Sequence, residues 1–313
     1  MSNVQSVSFW KDKKVLITGG TGFVGTHLHK LLIKEGALVW ASGSLDANLV
    51  ENPRRFPFLA SDKDVIFHLA ANVGGMLYNM RNPTQILYDN AMMGLNLLHM
   101  CSQLSIPHIQ FVSTACVYSN KCSVPTPENQ GFIGDPEDTN FAYGWSKRFI
   151  EKAVEVYAKD SDTKFSIVRP YNTYGPGDNF DPNDSHVIPA LIRKFVRADE
   201  DPIVIKGTGT STRSFLYVED FARGLMLTVE KAKGLTPFNI GSDEEISIHN
   251  LVKLIASLTG YKGEIKYDSH YPDGQPRRQP DLFRAKEILG FETTVPLEEG
   301  LKKTIKYFKE NYA

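Results

Sequence analysis

A chain of 313 residues allows one large domain or two intimate ones around a well-buried core. Hydrophobic residues make up 42% and charged residues 23%, as in an ordinary globular protein, and a net charge of −1 leaves no basic face for a nucleic-acid backbone. The opening "MSNVQSVSFWKDKK" lacks the apolar core and cleavage site of a signal peptide, and no apolar run is long enough to span a membrane.

In chain order, "KKVLITGGTGFVGTHLHKLLIKEGA" reads as an apolar strand, a glycine turn and a helix with apolar residues at helical spacing. "LVWASGS" is a second strand, "DVIFHLAA" a third and "HIQFVSTACVYS" a fourth. Between the last two, "NPTQILYDNAMMGLNLLHMCSQL" predicts a long helix starting near Pro83. "FAYGWSKRFIEKAVEVYAK" predicts another helix, followed by the strand "FSIVRP". Strands alternating with helices give the α/β class and a doubly wound parallel (Rossmann) sheet. After "YNTYGPGDNFDPNDSH" the texture turns to Pro, Gly, Asn and Asp and then to shorter elements, which marks a domain boundary with a cleft beside it.

Gly19, Gly22 and Gly25 stand in "GGTGFVG" between the first strand and helix, where glycines let the backbone approach a pyrophosphate seated on a helix N-terminus. An NAD site usually carries an acid at the end of the second strand to hold the ribose 2′-hydroxyl. Here that end reads Ala41-Ser42-Gly43-Ser44, with no acid until Asp46 and with Arg54 and Arg55 only later. Two hydroxyls suit a 2′-phosphate, so NADP(H) is favoured and NAD(H) stays open.

Three cysteines, Cys101, Cys116 and Cys122, are too few and too irregular for a disulfide framework or a zinc site; no metal is expected, and a reducing cytoplasm is the expected setting. Tyr143 and Lys147 lie at i and i+4 in "YGWSK" and so share one helix face, where an ammonium lowers a phenol's pKa towards usable acid/base chemistry. Thr114, at the carboxyl end of the fourth strand, is placed to bond the same oxygen as the phenol. Taken alone, Cys116 reads as a packed thiol, Thr114 as a hydroxyl satisfying its own backbone, and "YxxxK" as a solvated helix face.

The glycine turn, Thr114 and the Tyr/Lys pair, in this order, resemble the extended short-chain dehydrogenases/reductases. "HLAANVGGM", "STACVY", "GPGDNFDPNDSHVIPALIRKF", "GTGTSTRSFLYVEDFA" and "YPDGQPRR" narrow that resemblance to the GDP-L-fucose synthase family over nearly the whole chain. GDP-mannose 3,5-epimerase is a more distant relative. The resemblance implies epimerisation at C3 and C5 of a GDP-4-keto-6-deoxy-mannose-like sugar, then NADPH-dependent reduction at C4. It places Thr114, Tyr143 and Lys147 at the reduction and Cys116 and His186 as the acid/base pair of the epimerisation. Phe23, Val24, Leu69, Ala70 and Ala71 join Gly19, Gly22, Gly25, Ser42, Gly43, Ser44, Tyr143 and Lys147 around the cofactor. Asn172, Lys194, Arg213, Arg277 and Arg278 fall at substrate positions, the arginines suiting a nucleotide-sugar diphosphate.

It further implies a dinucleotide-binding domain over 1–174 and 216–242, a smaller α+β substrate-binding domain over 175–215 and 243–313, and a homodimer formed through the helices around 84–104 and 143–159. No nucleic-acid or membrane partner is expected.

The chain departs from the family at Lys206, where tryptophan is usual, in the short segment between strands two and three, and in lacking a basic group after the second strand. The first departure bears on the sugar and the last on the choice of cofactor. A pure epimerase that retains its cofactor is the first alternative and a related 4-keto hexose or heptose substrate the second; a scaffold without chemistry comes last. A 4,6-dehydratase is disfavoured, because Ala115 and Cys116 stand where that family carries Asp-Glu.

Overall fold

The computed structural model describes residues 8–199, 201–271 and 273–312. The chain runs β1 (Lys14–Thr18), α1 (Phe23–Lys34), β2 (Leu38–Ser42), α2 (Phe56–Ala60), β3 (Val65–His68), α3 (Met76–Arg81), α4 (Pro83–Cys101), β4 (His108–Val112), α5 (Phe141–Tyr157) and β5 (Lys164–Pro170). It continues through β6 (Thr173–Tyr174), α6 (Val187–Arg197), β7 (Ile203–Lys206), β8 (Thr212–Ser214), β9 (Leu216–Tyr217), α7 (Val218–Lys231) and β10 (Phe238–Ile240). It ends with β11 (Glu245–Ser247), α8 (Ile248–Thr259), β12 (Ile265–Asp268), β13 (Arg277–Arg278) and α9 (Leu297–Tyr312).

Six parallel strands form the expected doubly wound sheet, in the order β2-β1-β3-β4-β5-β10. β1 and β3 are buried almost throughout, as an apolar strand covered on both faces must be. α1 and α7 cover one face around Leu28, Leu32, Phe221 and Leu225. α2, α4 and α5 cover the other around Phe56, Leu97, Ile150 and Val154. Gly94 matters there, since a Cβ would meet the Ile150 side chain at 2.5 Å. The segment 43–64 holds only α2 and one short turn, too little for another strand, so β2 is the sheet's edge and leaves Leu38 and Trp40 exposed.

A second core gathers Phe180, residues of α6, α8 and α9, and Ile203 and Ile205 of β7. Small sheets β12-β7 and β11-β8-β13 flank it, which gives the smaller α+β unit. Ala285, Leu289 and Phe291 pack instead into the first core against α7.

The order of the main sheet reverses between β1 and β3, and the carboxyl ends of those strands open the crevice in which ligands of such sheets bind. β4 is shorter than its apolar run predicts. It ends at Val112, and Ala115–Val117 turns away because the Thr114 hydroxyl accepts the Cys116 N–H at 3.1 Å.

Candidate active site

β1 leads into Gly19, whose φ of +68° favours glycine. A Cβ there would stand 2.8 Å from the Ala70 nitrogen, so the turn lies directly on the segment holding Leu69, Ala70 and Ala71. At Gly25 a Cβ would come within 2.6 Å of the Gly20 Cα, which makes the helix-to-turn approach a glycine contact as well. Gly22 caps α1 without a side-chain hydrogen bond, and the first turn, opened by Phe23 and Val24, carries no acid. No side chain therefore competes for the leading N–H groups of this 12-residue helix, and the cradle fits a dinucleotide pyrophosphate. At the end of β2, Ser42 is buried and Gly43 donates its N–H to Asp46 Oδ2 at 2.8 Å. The acid that lies late in the sequence thus folds back against Gly43, with Ser44 beside it in the same turn.

At the end of β4, Thr114 is buried and Cys116 half-buried, and the N-terminal half of α5 packs against their turn. Gly144 permits that approach, since a Cβ would meet the Cys116 carbonyl oxygen at 2.5 Å. Arg148, one turn further along, is buried and donates Nε and Nη2 to the Val117 carbonyl at 2.9 and 2.6 Å. Nothing in the sequence singled Arg148 out; its role appears only when the turn lies beside the helix.

Tyr143 and Lys147 project from α5 as their spacing requires, but they do not interact as expected. The Lys147 ammonium donates to the Val112 carbonyl at 2.9 Å and lies 5.7 Å from the centre of the Tyr143 ring. Burial pushes the phenol well above its usual range, and Cys116 adds to the shift. Burial also lowers Lys147 to about 8, against the pull of Glu151. Tyr143 therefore keeps its proton at neutral pH, the form in which a phenol can donate. Glu151 belongs to a buried cluster that the sequence did not announce: it accepts Arg169 Nε at 2.9 Å and the Ser113 hydroxyl at 2.5 Å.

His186 is the N-cap residue of α6 and lies beside Gly74. The residue is exposed, yet protein crowds its imidazole, and that crowding lowers its pKa against an opposing backbone contact with Gly74. The segment before it rests on Gly75, whose N–H donates to the Asp184 carbonyl at 2.7 Å.

The three arginines separate. Arg277 turns outward and pairs with Glu245 through Nε and Nη2, both at 2.8 Å, away from the cleft where the resemblance placed it. Arg278 turns inward, with Nη1 3.9 Å from Cys116 Sγ, Nε donating to Gln275 Oε1 at 2.9 Å and Nη2 3.9 Å from Glu137 Oε2. Arg213 is its cross-strand neighbour on β8; burial first and Arg278 second bring Arg213 down to about 10. Asn172 Nδ2 donates to the Ser214 carbonyl at 2.8 Å, so it braces β8. Lys194 points from α6 to the Val204 carbonyl at 2.6 Å, towards β7 rather than Arg213. Among the described residues no group of three His, Cys, Asp or Glu side chains could hold a metal ion, and no helix is long and apolar enough to cross a membrane.

The model of the NAD dependent epimerase/dehydratase family matches residues 15–241. GDP-L-fucose synthase of Escherichia coli is 33% identical, covering 96% of this chain and 97% of its own. GDP-L-colitose synthase of Yersinia pseudotuberculosis is also 33% identical, with 94% and 97% covered. Among solved structures, a GDP-L-fucose synthetase from Naegleria fowleri bound to NADP matches with a TM-score of 0.86 at 28% identity, covering 96% and 95%. With a parallel sheet open at its switch point, a glycine cradle and relatives similar from end to end, the chain belongs to the NAD dependent epimerase/dehydratase family and, within it, to the GDP-L-fucose synthases.

Proposed function

We propose that this enzyme epimerises C3 and C5 of a GDP-4-keto-6-deoxy-mannose-like sugar and then reduces C4 with NADPH. The observation that supports the reading is the 114–116 turn, in which the Thr114 hydroxyl accepts the Cys116 N–H and Cys116 lies near enough to Tyr143 to act on its phenol. A ketone at C4 makes the hydrogens on its neighbouring carbons acidic. Cys116 takes such a proton as thiolate, the electron pair moves onto O4, and the Thr114 and Tyr143 hydroxyls stabilise that oxyanion. His186, whose lowered pKa favours release of its proton, returns one from the opposite face. In the reduction, Tyr143 gives its proton to O4 while Lys147, fixed by the Val112 carbonyl, supplies the positive charge beside it. The dinucleotide, held over residues 19–25 and by 69–71, supplies the hydride when bound.

NADP(H) is favoured by Ser42 and Ser44 at the end of β2 and by the NADP-bound relative. Arg213 is the arginine we assign to the sugar diphosphate. Replacing Cys116 by Ser keeps the volume but substitutes a hydroxyl of far higher pKa. Deuterium wash-in from solvent at C3 and C5 then stops while reduction of a suitable 4-ketone survives; native exchange in this variant would make the cysteine packing and end the reading.

A homodimer through α4 and α5 is supported by an apolar groove of about 480 Å³ lined by Pro83, Thr84, Leu87, Phe141, Ala142 and Trp145. Tyr88 and Phe149 extend this exposed face. Trp145→Glu yields monomers in sedimentation velocity if the contact is used, and an unchanged sedimentation coefficient refutes it. The cytoplasm is the compartment that suits three free thiols.

A further inference from the structure

We propose that Arg278, held in place by Glu137, is the cation that faces the Cys116 thiolate, and that it positions the proton-transfer base instead of clamping the substrate diphosphate. This inference rests on the reading of Cys116 as an acid/base group. Three contacts fix the guanidinium in three directions: the sulphur at 3.9 Å, Gln275 at 2.9 Å and Glu137 at 3.9 Å. Both partners of the ion pair are shielded, with side-chain exposures of 12% for Arg278 and 5% for Glu137.

Glu137 is buried, which by itself favours its neutral form. Hydrogen bonds from Thr139 N–H at 3.0 Å, Thr139 Oγ1 at 2.5 Å and Asn140 Nδ2 at 3.0 Å, together with Arg278, outweigh that and hold the carboxyl below its usual range. A carboxylate kept ionised behind a guanidinium fixes the direction in which the guanidinium points. The direction left to it is the thiol.

The same carboxylate also connects to the other acid/base group. Asn140 accepts Asn79 Nδ2 at 2.9 Å, and Asn79 Oδ1 accepts the Gly74 N–H at 3.2 Å. Gly74 precedes Gly75, on which the His186 segment rests. One polar chain therefore runs from the support of His186 to the partner of Cys116. The proton balance suits this arrangement. When the carbon-bound proton moves to sulphur, the thiolate becomes a neutral thiol and the negative charge passes to O4, so Arg278 meets the sulphur's charge before the transfer and not after it. With Arg277 paired to Glu245, Arg213 alone of the three keeps the diphosphate role.

The test is the rate of Cys116 alkylation by iodoacetamide at pH 7, with the modified peptide identified by mass, beside the affinity for GDP. Cys101 and Cys122 are buried and report separately. Arg278→Met is expected to slow alkylation about tenfold, Arg278→Lys to recover most of the rate, and Glu137→Gln to slow it about threefold, with GDP affinity within about twofold throughout. Unchanged alkylation in Arg278→Met overturns the proposal, and so does a loss of GDP affinity as large as the loss of alkylation. Alkylation needs no sugar substrate, so failure here stays separate from failure of the deuterium exchange in Cys116→Ser.

Discussion

Gly75→Ala tests how closely His186 must be held. Gly75 has φ −63° and ψ 168°, a conformation alanine adopts freely, so the substitution brings no backbone strain. Its effect is steric. The new Cβ would lie 3.0 Å from the Ser185 carbonyl carbon and closer still to that oxygen, where ordinary contacts begin at about 3.5 Å. The 184–186 segment must then retreat by roughly 1 Å, because its opponents here are backbone atoms with no rotamer to change. That retreat also stretches the Gly75 N–H to Asp184 carbonyl bond, now 2.7 Å. A displacement of about 1 Å in a reacting group is worth on the order of 100-fold in rate. Deuterium wash-in at C3 and C5 should fall by about that factor, while NADPH-dependent reduction of a pre-epimerised 4-ketone stays within about threefold, since Tyr143, Lys147 and Thr114 lie on other elements. Both rates can be read on one sample by NMR and by absorbance of the reduced nicotinamide. Exchange at the native rate, with Ala at position 75 confirmed, would refute the assignment of His186 to the proton transfer.

Two further predictions concern the reduction. Lys147 titrates at about 8 because burial lowers it, so its ammonium is intact at pH 7 and is lost as pH rises through that value; the C4 reduction rate should be level below pH 7.5 and fall about tenfold per unit well above 8, and a rate still level at pH 10 contradicts the role. NADPH should bind more tightly than NADH, and Gly43→Asp, which adds a carboxylate beside Asp46, should reverse the order in a fluorescence titration; tighter NADH binding by the unaltered chain defeats the inference.

The main sheet could be read from the sequence because buried parallel strands are continuous apolar runs and their covering helices keep a clean period. The glycine turn, and the shared face of Tyr143 and Lys147, follow from local geometry for the same reason. What escaped the sequence was long-range pairing. Arg148 meets the Val117 carbonyl, and Arg169 meets Glu151, only after β4, α5 and β5 are assembled. The sequence "PRR" left open which of its two arginines faces the site, and strand geometry separates them. β13 pairs with β8, so neighbouring residues Arg277 and Arg278 point to opposite faces, one to Glu245 and the other to Cys116. Lys147 likewise finds a backbone carbonyl before it finds the phenol, which no i, i+4 spacing discloses.

The layout also says which variants should separate the two proposed chemistries and which should not. Thr114 and Cys116 sit on one short turn, and α5 presses on that turn through Gly144 and Arg148 while presenting Tyr143 and Lys147 from the same end. Any movement of α5 therefore shifts Thr114, Tyr143 and Cys116, the proposed oxyanion donors and base, together. His186 caps α6 and is joined to this assembly through Gly75 and the Asn79–Asn140–Glu137 chain. A perturbation on the Gly75 side loosens one proton-transfer partner and leaves the hydride-accepting carbon's surroundings in place, which is why deuterium exchange and reduction, measured together, locate a defect on one side of the cleft or the other.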